Sequence, residues 1–99
     1  MPRVMFTISY GIKPELREGY LVLIQQTKEH IVSVAKKNYS VYEVKGRKNQ
    51  FTEVFITESE EEFESLEDNQ DERTTELVSK LAQFVDDAGM KYATLIEVV

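Results

Sequence analysis

Three residues at two-residue spacing carry the chain's clearest chemical suggestion: Phe51, Glu53 and Phe55. Alternate residues of a strand share a face, so this spacing stands a carboxyl group between two aromatic rings. Desolvation there raises a carboxyl pKa and fits the group to act as a general base. Other polar side chains alternate in the same way. Thr7 and Ser9 interleave with Phe6 and Ile8, and Tyr39 shares a face with Val41 and Glu43. If Phe6, Ile8, Val54 and Ile56 lie beneath helices, the opposite sheet face gathers Thr7, Ser9, Tyr39, Glu53 and Phe55. Aromatic rings with a few polar groups are the usual lining of a small-molecule pocket. Glu53 is therefore the candidate catalytic residue, and Thr7, Ser9, Tyr39 and Phe55 are candidate substrate-binding residues. The plain alternative is a partly wet sheet face inside a dimer interface.

Other chemistries find less support. His30 is the single histidine, and no cysteine is present, so disulfides, thiolate metal sites and a cysteine nucleophile are excluded. His30 falls roughly 70° from the centre of a helical apolar stripe, at the edge of a helix–sheet contact. A boundary histidine bonded to backbone or solvent is expected there, and no metal site is assigned. Glu58, Glu60, Glu61, Glu62, Glu64, Glu67, Asp68, Asp71 and Glu72 crowd one stretch without calcium-loop spacing. They read as a solvated face favouring two helix N-termini. Lys36, Lys37, Lys45, Arg47 and Lys48 form the basic counterpart, read as solvated loops. No Ser-His-Asp order, phosphate loop or dinucleotide fingerprint occurs, so no cofactor is expected.

The elements that position these groups follow from hydrophobic rhythm. Val4, Phe6, Ile8, Tyr10 and Ile12 alternate as a strand. Pro14 then suits a first helical turn, where its missing N–H costs nothing. Leu16, Tyr20, Leu23, Ile24, Thr27, Ile31 and Val34 fall within about 100° of one another, which predicts a helix over 14–35. Tyr39 to Lys45 and Phe51 to Glu58 read as strands joined by a hairpin loop, with Gly46 and Asn49 suited to positive φ. Ser59 with Glu62, and Asn69 with Glu72, are capping boxes that open two further helices. The second carries Leu77, Leu81, Phe84 and Val85 on to Ala88, with Gly89 behind it. Tyr92 to Val99 closes the chain as a strand. The order is βαββαβ, an α+β arrangement with one four-stranded antiparallel sheet and its helices on one face.

The 99 residues suit one domain, 1–99, burying roughly two-thirds of the unfolded surface. A net charge of -6 argues against nucleic-acid binding. The longest apolar run, Leu21 to Ile24, is far too short to span a bilayer. Met1 to Met5 carry no signal-peptide core, so a cytoplasmic location is expected.

Across nearly the whole chain this architecture resembles the dimeric ferredoxin-like α/β-barrel superfamily, in particular antibiotic-biosynthesis-monooxygenase-like domains. The resemblance runs through the Val4–Ile12 strand, Lys13-Pro14-Glu15 and the long helix. It continues through the Phe51–Ser59 strand, the Glu60–Asn69 helix, the helix to Gly89 and the last strand. It implies a homodimer whose two sheets face each other and enclose a cavity in each half. It also implies a small-molecule ligand and cofactor-independent monooxygenase-like chemistry on a small aromatic or apolar molecule. The alternative is a non-catalytic small-molecule-binding or regulatory dimer. Heme-degrading members share an Asn, Trp and His set that this chain lacks, having no tryptophan.

Overall fold

The computed structural model describes residues 2–68 and 70–99, and the side chains of all of these but Glu67 and Asp68. Strand β1 (Val4–Gly11) pairs antiparallel with β3 (Gln50–Thr57) on one side and β4 (Lys91–Ile96) on the other. Strand β2 (Asn38–Glu43) pairs with the far side of β3, giving the order β2-β3-β1-β4. Gly46 (φ 83°) and Asn49 (φ 69°) turn the β2–β3 hairpin in the left-handed region, as their types predict.

Pro14–Leu16 form a single 3-10 turn before α1 (Arg17–Glu29). The helix then widens into a π-helical turn, His30–Val34, closed by the Ala35 N–H on His30 O at 3.0 Å. The expected helix over 14–35 is thus present but changes pitch at both ends. Tyr20, Leu23, Ile24, Thr27 and Ile31 of its stripe are buried. The core they enter also holds Tyr10, Ile12, Phe51, Leu77 and Leu81.

Helix α2 (Glu60–Asp68) opens at Ser59, whose Oγ accepts the Glu62 N–H at 3.2 Å. Glu62 returns its carboxylate to the Glu58 N–H at 2.8 Å, a capping box shifted by one donor. Of the second expected capping box, Asn69 lies outside the described residues. Helix α3 (Glu72–Leu81) starts behind Asp71, whose side chain accepts the Thr74 N–H at 2.7 Å.

α3 stops at Leu81, seven residues short of its expected end at Ala88. The reason is tertiary. Lys13 N–H donates to Phe84 O and Asp86 N–H to Gly11 O, both at 2.9 Å, and Val85 bridges Ile12. Backbone groups that would continue the helix instead extend the end of β1. Gly89 (φ 75°) serves the turn into β4. The closing strand ends at Ile96 instead of Val99, where Glu97 N–H bonds Arg3 O. No helix among the described residues is long and apolar enough to cross a membrane.

Candidate active site

A cavity of about 240 Å³ lies between the sheet and its helices. The sheet contributes Phe6 and Ile8 from β1, Glu53 and Phe55 from β3, and Tyr92 from β4. The roof comes from Phe63 and Leu66 of α2, Thr74, Val78 and Leu81 of α3, Ile31 of the widened turn and Ala35 just after it. Phe6 is the hub of its aromatic wall, with ring centroids 5.5 Å from Phe63, 6.1 Å from Tyr92 and 6.4 Å from Phe55. The π-helical turn has a positional role, since Ile31 reaches the cavity from it and Ala35 from the residue that caps it. Such turns often occur at functional sites.

Glu53 is 5% exposed and is the one acidic residue in the buried core region of the described chain. Its Oε1 accepts the Tyr39 hydroxyl at 2.5 Å. Glu53 lines the cavity, and its Oε2 is buried with no hydrogen-bond partner among the described residues. Burial pushes the carboxyl pKa up, and the Tyr39 hydroxyl, followed by the Tyr10 hydroxyl, offsets part of that rise. Burial and the nearby Glu53 charge push the Tyr39 and Tyr10 hydroxyls well above the ordinary phenol range. Tyr10 and Tyr20 are occupied with each other, hydroxyl to hydroxyl at 2.6 Å. What remains is a largely apolar chamber, with Lys37, Gln70, Asp71 and Thr74 among its lining and one carboxyl oxygen of Glu53 unsatisfied. A ligand's polar hydrogen could bond that oxygen, and the carboxylate could remove an acidic proton.

The five expected site residues do not share one face. Cross-strand partners in an antiparallel pair lie on the same side of the sheet. Phe6 stands opposite Phe55, Ile8 opposite Glu53, and Tyr39 opposite Phe55. Glu53, Phe55 and Tyr39 therefore sit on the helix side with Phe6 and Ile8. Thr7, opposite Val54, and Ser9, opposite Thr52, occupy the other face with Ile56. There Ser9 Oγ meets Thr52 Oγ1 at 3.1 Å, and Thr7 Oγ1 reaches Ala93 O at 3.5 Å. Period-two alternation sorts residues within a strand but leaves open which face of one strand joins which face of the next. Val41 and Phe51, which share their strands' faces with Tyr39 and Glu53, lie on the helix side for the same reason, and Met5, Ala93 and Leu95 lie on the other face. Tyr39, 2% exposed, stands behind Glu53 and forms no part of the cavity wall. Phe63, Leu66 and Ile31 escaped the expected site, although their apolar helical spacing signals a face turned to the sheet.

His30 is held by a side chain, not by backbone or solvent as expected. Its Nε2 lies 2.9 and 3.0 Å from the two carboxyl oxygens of Asp71. Asp71 also caps α3, so the pair ties the end of α1 to the start of α3. The Thr74 N–H and hydroxyl, then His30, lower the Asp71 pKa to about 2. With the ring at the rim of the packing, His30→Gln can still donate to Asp71. The expected change in unfolding free energy is about 1 kcal/mol or less, measured by urea denaturation.

A second, shallow cleft lies at the hairpin, between Arg17 and Val44–Lys48. Glu43 is already satisfied there, accepting from Arg17 at 2.6 and 3.0 Å and from the Asn49 N–H at 2.9 Å. Arg17 first, then Asn49, lowers the Glu43 pKa to about 2. This network fastens the hairpin to α1. Among the described residues no three His, Cys, Asp or Glu side chains converge as a metal-binding group.

No protein-family model matches the chain, and no curated protein is detectably related in sequence. Solved structures are similar to it in fold. A candidate antibiotic biosynthesis monooxygenase from Caulobacter crescentus superposes with a TM-score of 0.80 at 6% identity, over 99% of this chain and 91% of that one. A NIPSNAP family protein from Agrobacterium tumefaciens gives 0.75 at 13% identity, over 94% and 90%. SnoaB, a cofactor-independent oxygenase from Streptomyces nogalater, gives 0.71 at 7% identity, over 94% and 90%. The chain has the ferredoxin-like α+β fold of the antibiotic-biosynthesis-monooxygenase-like and NIPSNAP proteins.

Proposed function

We propose that this protein is a homodimer whose cavities each take a small aromatic or apolar molecule, with Glu53 as the base of a cofactor-independent, monooxygenase-like reaction. One observation carries the reading: Glu53, buried and with its Oε2 unpartnered, belongs to the lining of a largely apolar, aromatic-walled cavity. An unsatisfied buried oxygen costs about 1–3 kcal/mol, a cost a bound ligand would remove. The aromatic wall around Phe6 suits a flat ring, and the fold shared with a cofactor-independent oxygenase supports the reaction class. Phe55 remains a ligand-lining residue in this reading. Thr7 and Ser9, on the uncovered face, do not touch the ligand.

The chemistry balances without a reductant. An activated CH₂ group beside an aromatic ring loses a proton to Glu53 Oε2, and the carbanion passes its electrons to dioxygen. A C–O bond forms as a hydroperoxide, which loses water to leave C=O. CH₂ and O₂ thus become C=O and H₂O, and Glu53 returns its proton.

Anthrone supplied in air-saturated and oxygen-free buffer tests this. Oxygen uptake above the buffer rate, and its loss in Glu53→Gln, is the expected result. If a neutral aromatic such as 2-naphthol binds but no test compound is consumed, the chain is a non-catalytic small-molecule-binding dimer. If 2-naphthol binds Glu53→Gln as well as the native chain, Glu53 is not the ligand's partner.

A further inference from the structure

We propose that Tyr39 is the positioning residue of this site: it holds Glu53 by Oε1, so that Oε2 alone meets the ligand. The inference rests on Glu53 being the ligand-facing group. The Tyr39 hydroxyl donates to Oε1 at 2.5 Å, Oε2 has no hydrogen-bond partner among the described residues, and Glu53 is a residue of the cavity lining. Tyr39 lies outside the cavity wall, so its hydroxyl is available to Glu53 and not to a ligand. Its own placement is firm. It pairs across the sheet with Phe55, and the two rings pack at 4.7 Å with a 47° tilt. Of the other two buried phenols nearby, Tyr10 is bonded to Tyr20 and also lowers the Glu53 pKa, by less than Tyr39 does.

The consequence is a division of labour between two oxygens that are chemically equal in a free carboxylate. Oε1 carries the donated hydrogen bond. The lone pairs on Oε2 stay available to accept a ligand's proton. Without the tyrosine hydroxyl, the carboxyl group could turn either oxygen, or neither, to the cavity. Charged and titratable neighbours come from each packed element: Tyr10 on β1, Tyr20 on α1, Lys37 just before β2, and Asp71 ahead of α3. Tyr10 and Tyr20 stay neutral, and Lys37 and Asp71 are opposite in sign at the cavity edge.

Tyr39→Phe in the full chain removes the hydroxyl and keeps the ring. Glu53 is followed by NMR with carboxyl-¹³C-labelled glutamate, and ligand binding by 2-naphthol fluorescence. The expected result is a Glu53 titration midpoint about one pH unit higher, a tenfold smaller ionised fraction at a given pH below it. The pH profile of 2-naphthol binding should move up by the same amount, so that affinity lost near neutrality returns at higher pH. A merely structural tyrosine would lower stability and leave both midpoints in place, and that outcome in a folded variant overturns the proposal. Binding lost in Glu53→Gln but unmoved in Tyr39→Phe would sink the role of Tyr39 alone. Binding unmoved in both would sink the role of Glu53 as well. Should Tyr39→Phe not fold, the native chain still decides. Its Tyr39 hydroxyl proton must appear as a downfield resonance that shifts with the Glu53 midpoint and vanishes in Glu53→Gln. Its absence, or a midpoint unrelated to Glu53, counts against the proposal.

Discussion

Glu53→Gln is expected to abolish a loss of stability that the native chain shows as pH rises above about 4.5. The folded-state pKa of Glu53 is raised from its ordinary value of 4.5, chiefly by burial. Between the ordinary and the raised value the native state binds more protons than the unfolded chain. Stability therefore falls with rising pH through that window and is level above it. Every tenfold difference in proton affinity between the folded and unfolded carboxyl is worth about 1.4 kcal/mol, a large part of the roughly 5–15 kcal/mol of a typical domain. Gln cannot ionise, so its curve should stay flat there. Glu43 and Asp71, both lowered to about 2, behave oppositely. Their contributions are present above their ordinary values and disappear as pH falls toward 2, so the two windows do not overlap. Urea denaturation of both proteins at pH 4.5 and 8.5 makes the measurement. Parallel pH dependences in the native chain and the variant would contradict a raised Glu53. The same substitution should also weaken 2-naphthol binding more than tenfold, because a hydrogen bond to a buried carboxylate is replaced by one to a neutral amide.

Leu95→Asp is expected to convert the proposed dimer to monomer. The sheet face away from the helices carries Met5, Val54, Ile56, Ala93 and Leu95, which alternate with the helix-side residues in the strand register. Met5 is 40% and Leu95 51% exposed, and every residue of β4 is exposed in the single chain. A contiguous apolar face of this kind is uncommon on a monomer, and β4 is also an edge strand with unpaired backbone groups. A second copy covering it would bury on the order of 2,000 Å², as stable homodimers do. A two-fold interface meets itself, so one substitution places two carboxylates in it. At a few kcal/mol for each buried, unpaired charge, the dissociation constant should rise by about 10³ or more. Sedimentation at micromolar concentration would show a dimer for the native chain and a folded monomer for the variant. A native chain that sediments as a monomer would remove the homodimer from the proposed function.

The sequence by itself determined the elements and their order, because both rest on local physics. The alternation of Val4 to Tyr10 and the stripe of Tyr20, Leu23, Ile24 and Ile31 each bury one side only as a strand and a helix. Gly46 and Asn49 marked the hairpin because few residue types tolerate positive φ. The grouping of Phe51, Glu53 and Phe55 on one face was likewise legible, since it needs only the two-residue period of a single strand.

Tertiary structure decided everything that depends on one element meeting another. Strand register put Ile8 opposite Glu53 and so moved Thr7 and Ser9 to the far face, a choice that alternation within each strand leaves undetermined. Pairing of Phe84–Asp86 with Gly11–Lys13 ended α3 at Leu81, where the apolar pattern alone continues. The partners of His30 and Glu53 lie 41 and 14 residues away in sequence. Their meeting follows from packing α3 beside α1 and β2 beside β3, and hydrogen bonds over such separations have no local signal to read. The same packing set the chemistry of the site, because the Glu53 pKa responds to the depth of its burial and to the Tyr39 hydroxyl, and both exist only once the sheet and helices have closed around it.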